Sequence, residues 1–286
     1  MLKQLPLIII FLAFGKIYCQ EDSYVKLKNI KQILPHSTTN YGFENGKLKS
    51  IDIGYSTTFF EYNNKGTLSS WYYINVNDKS KYSESFSYDE KGYITSIISK
   101  VDNKILREAK FEYQKNNDND FFITKITKHT GYNGDYFTKE IFEMKNNILK
   151  ITEEKSKIRS RDRIDEFTFE NGNIVSYHFN IKNKKEQYLV KFTYDNTTNI
   201  NYSVMKGFYG DKHFVNSILD KPMKIVTLHL IPSKNNVVSK RIVKKAKRIG
   251  VSEYDYSIEY DSSNRITKIT ETELERGRKN TFILEY

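Results

Sequence analysis

From Lys81 to Tyr88 the chain alternates. Tyr82, Phe86 and Tyr88 fall on one parity, and Ser83, Ser85 and Ser87 on the other. Residues two apart in a strand share a face, so this pattern predicts a strand with one face buried and one in water. The same period runs from Tyr188 to Tyr194, where Tyr188, Val190, Phe192 and Tyr194 alternate with Leu189, Lys191 and Thr193. Aromatic pairs two apart recur at Phe111 and Tyr113 and at Phe167 and Phe169. Half-buried antiparallel strands are predicted along most of the chain.

These strands end in a recurring phrase: an aromatic, an acid or Asn, turn residues with Gly or Asn, then Ile or Leu, two residues, and another apolar residue. The clearest copies are Tyr88-Asp89-Glu90-Lys91-Gly92-Tyr93-Ile94-Thr95-Ser96-Ile97 and Tyr260-Asp261-Ser262-Ser263-Asn264-Arg265-Ile266-Thr267-Lys268-Ile269. Phe43 to Leu48, Tyr62 to Leu68 and Phe169 to Ile174 follow it, and Phe142 to Ile148 and Tyr194-Asp195-Asn196 are weaker copies. The physics is that of a β-hairpin. Asp and Asn side chains bond nearby amides, Gly or Asn supplies the positive-φ position, and Ile or Leu begins the return strand on its buried face. Tyr88 and Tyr113, like Phe169 and Tyr194, lie about 25 residues apart, enough for two strands and two turns.

The phrase breaks down between Asn196 and Ser252. Gly207 to Asp211 reads as a loop, Lys212 to Leu219 as a short helix, Met223 to Ile231 as a strand and Pro232 to Asn236 as a turn. The fold class is therefore all-β: an antiparallel hairpin meander of about 14 to 18 strands, an elongated curled sheet or partly closed barrel, with at most one short helix. Composition agrees. Tyr (22) and Phe (18) are abundant among the 286 residues while Ala is scarce, which favours strand over helix.

The N-terminus has a different pattern. Lys3 precedes an apolar run from Leu5 to Gly15, and polar chain begins at Gln20. That is the layout of a secretory signal peptide, and the run is too short to span a bilayer as a helix. The domain reading is a signal peptide over 1–19 and one β-repeat domain over 20–286. Cys19 is the only cysteine. Plain cleavage beside it leaves no thiol, and lipidation of Cys19 is the alternative, poorly served by Lys16-Ile17-Tyr18. The expected location is outside the cytoplasm of a Gram-negative bacterium: periplasm, cell surface or medium.

Tyr88-Asp89 with Gly92, and Tyr260-Asp261 with Asn264-Arg265, resemble YD repeats, the units of Rhs-type shells. Asp220-Lys221-Pro222-Met223-Lys224-Ile225, with Tyr254 to Asp261 and Arg265 to Ile269, is similar to a family of exported bacterial proteins of unknown function. The resemblance spans Tyr41 to Tyr286 and implies a porin-like, many-stranded antiparallel fold. It brings no catalytic residues. The chain departs from Rhs shells in being too short to enclose a toxin and in having no appended effector domain.

Candidate chemistry is sparse. His36, His129, His178, His213 and His229 form no ligand-spaced pair, so no metal site is expected, and no nucleophile, phosphate-loop or dinucleotide motif is present. Glu166 with Glu170, or Asp255 with Asp261, are the carboxylate pairs a glycosidase reading would use. Asn116 to Asp120 is oxygen-rich but lacks the Gly and distal Glu of a calcium loop. Of Trp71-Tyr72-Tyr73, at least one ring must face outward. The strongest charge feature, within a net +11, is the acid-free run from Lys240 to Arg248. Lys240, Arg241, Lys244, Lys245, Lys247 and Arg248 are its candidate polyanion-binding residues.

These features predict a protein without cofactor and leaning away from enzymatic activity: an exported envelope scaffold or binding module. Its expected partners are an envelope polyanion or protein, with no specific nucleic acid and no transmembrane helix in the mature chain. The alternatives are a secreted polysaccharide hydrolase and an outer-membrane β-barrel. The alternation of Phe282, Leu284 and Tyr286 favours the barrel, while mixed-parity charge and a mean hydropathy of −0.64 disfavour it.

Overall fold

The structure is a computed structural model, and it describes residues 27–34, 36–117, 120–131, 134–154, 163–181, 187–220, 233–245 and 249–286. The segment expected as a signal peptide over 1–19, Cys19 within it, and the strand expected over Met223 to Ile231 lie outside them.

Among the described residues eighteen strands follow in chain order. They are β1 (Asn29–Leu34), β2 (Ser37–Glu44), β3 (Lys47–Asp52), β4 (Thr57–Tyr62), β5 (Leu68–Ile74), β6 (Lys81–Tyr88), β7 (Ile94–Val101), β8 (Lys104–Asn117) and β9 (Asp120–His129). Then come β10 (Tyr136–Lys145), β11 (Ile148–Glu154), β12 (Arg163–Glu170), β13 (Asn173–Ile181), β14 (Gln187–Thr198), β15 (Asn235–Lys245), β16 (Ile249–Tyr260), β17 (Ile266–Glu273) and β18 (Arg278–Glu285). Each pairs antiparallel with its sequence neighbours, and β1 pairs with β18 as well, Asn29 opposite Glu285 and Ile30 opposite Leu284. The meander closes into a barrel, where an elongated curled sheet or a partly closed barrel was expected, and closure leaves no unpaired strand among the described residues.

The turn phrase is realised as its chemistry requires. Asn45-Gly46 and Asn171-Gly172 have positive φ at both positions (50° and 73°, 51° and 79°), the two-residue turn that suits the twist of paired strands. In the longer copies the acid organises the loop. Asp89 Oδ1 accepts from the Tyr93 amide at 2.9 Å, and Asp261 Oδ1 from the amides of Ser263 and Arg265, both at 2.9 Å. All these turns lie at one end of the barrel.

The odd three-residue step after the Ile or Leu has a physical cause. Register shifts at Phe43, Tyr62, Tyr88, Phe169 and Tyr260 leave Lys49, Ser69, Thr95, Val175 and Thr267 unopposed on the return strands. Each is a β-bulge, which lets Leu48 and Ile51, or Ile94 and Ile97, both point inward despite odd spacing. All four are buried.

The same end is filled by α1 (Ile200–Tyr209), a 3-10 turn (Gly210–Lys212) and α2 (His213–Asp220). Helix occurs where the repeat fails, as expected, but it begins earlier and runs longer than one short helix. The stretch from Gly207 to Asp211, expected as a loop, is helical through Tyr209. Ile200, Val204 and Phe208 recur at four-residue spacing and make one apolar stripe, and all three are buried. The stripe meets the wall at Phe60, whose ring stacks on Phe208 at 5.3 Å. Asn216, fully buried on α2, accepts from the Ile94 amide at 3.0 Å and donates to the Gly92 carbonyl at 2.8 Å. This helical plug thus completes the backbone bonding of the β6–β7 turn.

Candidate functional site

Beyond the plug the inner wall carries charge. Glu84 stands at inward parity on β6 between Tyr82 and Phe86, opposite Trp71 on β5 and Ser99 on β7. Its Oε1 takes an ion pair from Arg107 of β8 and hydrogen bonds from the hydroxyls of Ser99 (2.8 Å) and Tyr82 (3.1 Å). Arg107 Nε also donates to Ser99 Oγ at 2.6 Å. Glu84 and Ser99 are 4% and 0% exposed, so burial demands this saturation. The rings of Trp71 and Tyr73 stack on Tyr82 at 5.3 and 5.4 Å beside it.

The last plug residue faces the same network. Asp220 accepts from the Tyr209 hydroxyl at 2.5 Å. Burial and the nearby charge of Glu84 push its carboxyl up to about 7, against the pull of Lys125 and Arg107. Lys125 on β9 pairs with Glu140 on β10 at 3.3 Å and donates to the Leu219 carbonyl at 3.4 Å, placing a cation at the C-terminus of α2.

A second network crosses β15 to β18 and continues onto β1 and β2. Lys240 pairs with Glu271 at 2.8 Å and lies 3.8 Å above the Tyr254 ring, while the Tyr256 hydroxyl donates to Glu271 at 2.5 Å. Tyr41 donates to Gln32 at 2.7 Å, and Gln32 to Asn280 at 3.2 Å.

The basic run is divided by the pleat of β15. Lys240 and Lys244 face inward, Lys244 over the Tyr188 ring at 5.3 Å, and Arg241 faces outward to Glu253 at 3.1 Å. Lys247 and Arg248, and the side chain of Lys245, lie outside the described residues. Because β15 is paired on both sides, its lysines guard no sheet edge.

The carboxylate pairs expected for hydrolysis are not brought together. Glu166 and Glu170 are four residues apart on one face of β12, roughly 13 Å, and Asp255 and Asp261 six apart, roughly 20 Å. Glycosidase carboxyls stand about 5 to 10 Å apart. Asp261 is occupied in its turn, where Oδ2 also takes the Arg265 guanidinium at 2.7 Å. His129 bonds Thr138 at 3.0 Å and His213 the Gly210 carbonyl at 3.0 Å. No group of three His, Cys, Asp or Glu among the described residues is placed to hold a metal ion. The loop from Asn116 to Asp120 lies partly outside them. Tyr72 is the outward ring of its trio, and Trp71 and Tyr73 face in.

No family model and no curated protein matches this chain. Among solved structures it is similar to a porin-like protein from Bacteroides uniformis, with 14% identity, 91% of this chain and 96% of that one covered, and a TM-score of 0.43. It is also similar to a porin-like protein from Bacteroides vulgatus, with 9% identity, 91% and 98% covered, and a TM-score of 0.47. Identities this low carry no function from one chain to another.

Sequence reasoning missed the inward ion pairs. The signal was there for Glu84, a charge at the buried parity of an otherwise regular strand. Its partner Arg107 gave none, since pairing across two strands depends on register.

Proposed function

We propose that the protein is a non-enzymatic envelope module, a barrel whose wall stands in water and whose interior is structural. The observation that carries this reading is the outer face. Ion pairs sit along it at Lys139–Glu154 (2.9 Å), Arg241–Glu253 (3.1 Å) and Lys268–Glu259 (2.7 Å). A lipid-facing strand cannot hold such residues cheaply, since each charge near the bilayer centre costs about 2 to 4 kcal/mol. Phe282, Leu284 and Tyr286 point into the barrel and so do not form an outward aromatic girdle. The saturated state of Glu84 argues against a hydrolytic role inside. The Asp-organised turns at Tyr88 and Tyr260 support kinship with YD-repeat proteins as part of the same reading.

Carbonate extraction of membranes from the native host, with detergent-free purification, tests it. Recovery as a folded, detergent-free protein is expected. Retention in the membrane after carbonate would overturn the reading in favour of an inserted outer-membrane barrel.

A further inference from the structure

On the outer wall, two rows of side chains run across β4 to β7. Phe59, Tyr72, Ser83 and Lys100 stand opposite one another in turn, and so do Glu61, Ser70, Ser85 and Ile98. Serine stands inside both rows, and Ser87 faces Ser96 in the next. Serine offers a strand neither branching nor bulk, and elsewhere the outer wall carries long paired charges. Here the short side chains leave a hollow of about 200 Å³ in a convex wall. Glu61 and Tyr72 border it to one side, Lys100 and Asn103 to the other, and Lys81 closes an end. Sites for drug-sized ligands measure roughly 300 to 1,000 Å³, so this one suits a single small ring.

The groups around it are open to a ligand. Among the described residues, the side chains of Ser83, Ser85, Lys100 and Asn103 have no hydrogen-bond or ion-pair partner. Glu61 Oε2 accepts from Ser70 at 2.5 Å, which leaves Oε1 as an open acceptor. The charges balance: Lys81 and Lys100 are matched by Glu61 and by Asp102, whose Oδ1 accepts from the Lys81 amide at 2.7 Å. An anion is therefore not singled out. Sugar hydroxyls each donate and accept, and Ser and Asn answer both roles. Lys81 lies over the Tyr72 ring at 4.2 Å, so the open ring is that of Phe59, which stacks beside Tyr72 at 5.3 Å and is 39% exposed. It is an apolar shelf for the C–H face of a second sugar.

We propose that this hollow and shelf bind a neutral polysaccharide chain, one sugar ring held over Ser83 and Ser85 and its neighbour resting on Phe59. The proposal rests on the water-facing wall argued above and gives the envelope module its ligand class.

Native electrophoresis of the purified protein through gels holding hydroxyethylcellulose, soluble mannan or xyloglucan tests it, with polygalacturonate as the acidic counterpart. At least one neutral polymer retards the protein, and high salt leaves the retardation in place. The double variant Ser83→Gln/Ser85→Gln, which fills the hollow, weakens binding by about tenfold. Phe59→Ser weakens it as well, while Lys139→Gln, elsewhere on the outer wall, leaves it unchanged. Circular dichroism checks that the variants keep the fold. Failure of every neutral polymer to retard the protein overturns the proposal, as does equal retardation of the filled variant. Retardation by polygalacturonate alone, lost at high salt, also overturns it, because it marks charge attraction. A protein that purifies folded without detergent yet passes the neutral polymers freely fails this inference only. One retained in carbonate-washed membranes fails the water-facing reading instead.

Discussion

The hydroxyl of Tyr88, at the end of β6, donates to the main-chain carbonyl of Leu68, at the start of β5, at 2.6 Å. The relationship repeats. Tyr62 reaches Leu48 (2.7 Å), Tyr113 reaches Ile94 (2.6 Å), Tyr194 reaches Ile174 (2.5 Å) and Tyr286 reaches Ile266 (3.0 Å). Every acceptor is the Ile or Leu that opens a return strand beside a bulge. A bulge interrupts the ladder, and the phenol on the next strand supplies the donor. The aromatic and the aliphatic of the repeat are thus two ends of one hydrogen bond.

Tyr88→Phe should therefore destabilise the fold by about 1 to 2 kcal/mol, because it keeps the ring and leaves a part-buried carbonyl without its phenol. The reverse change, Phe169→Tyr, has no such deficit to repair and should not raise stability by that amount. Urea midpoints at constant m-value separate the two.

These phenols are also held protonated. Burial pushes Tyr194 and Tyr286 up to about 12, and Tyr62, Tyr88 and Tyr113 higher still. The unfolded chain ionises at the ordinary value of 10.0, so between 10 and 12 the folded state binds more protons. The contribution of these tyrosines to stability should be level below pH 10 and fall steadily above it. Phenolate absorbance and circular dichroism followed together should show these tyrosines ionising in the unfolding step.

Asp220 sets the opposite end of the pH range. Its carboxyl is raised from 3.8 to about 7, so below pH 4 both states are protonated and the fold keeps its full stability. As pH climbs from 4 to 7 the unfolded chain releases a proton that the folded one retains. Stability should decline across that window, on the order of 4 kcal/mol, and level off above it. Asp220→Asn should flatten this part of the profile in thermal melts.

Arg107→Met should destabilise by about 2 to 3 kcal/mol. It strips the cation from Glu84, which stays buried, although the Arg107 side chain is itself 47% exposed and so part of the pair is screened. Combining it with Glu84→Gln should restore a good part of the loss. A double-mutant cycle in urea measures the coupling.

The hairpins were legible because turn chemistry and strand parity are local. Asp89, Gly92 and Ile94 announce a turn and its return strand within a few residues. Closure was not legible, because the match of Asn29 to Glu285 depends on the summed curvature of every strand between them. The helical plug was half legible. Phe208 and Val204 carry the four-residue spacing, but Gly207 and Gly210 read as a loop. The division of the basic run followed from period two, which sends Lys240 and Arg241 to opposite faces. The partners they met there depended on register across strands.

The pairing of β1 with both β2 and β18 has a kinetic consequence. The strand β1 waits for β18, so this contact spans nearly the whole described chain and forms only after β18 has been synthesised. Contacts of such separation are slow to form. Until then the unpaired flank of β1 is an open template for another chain. Loss of even the final hairpin would leave that flank permanently available, and such a truncated chain should aggregate through it.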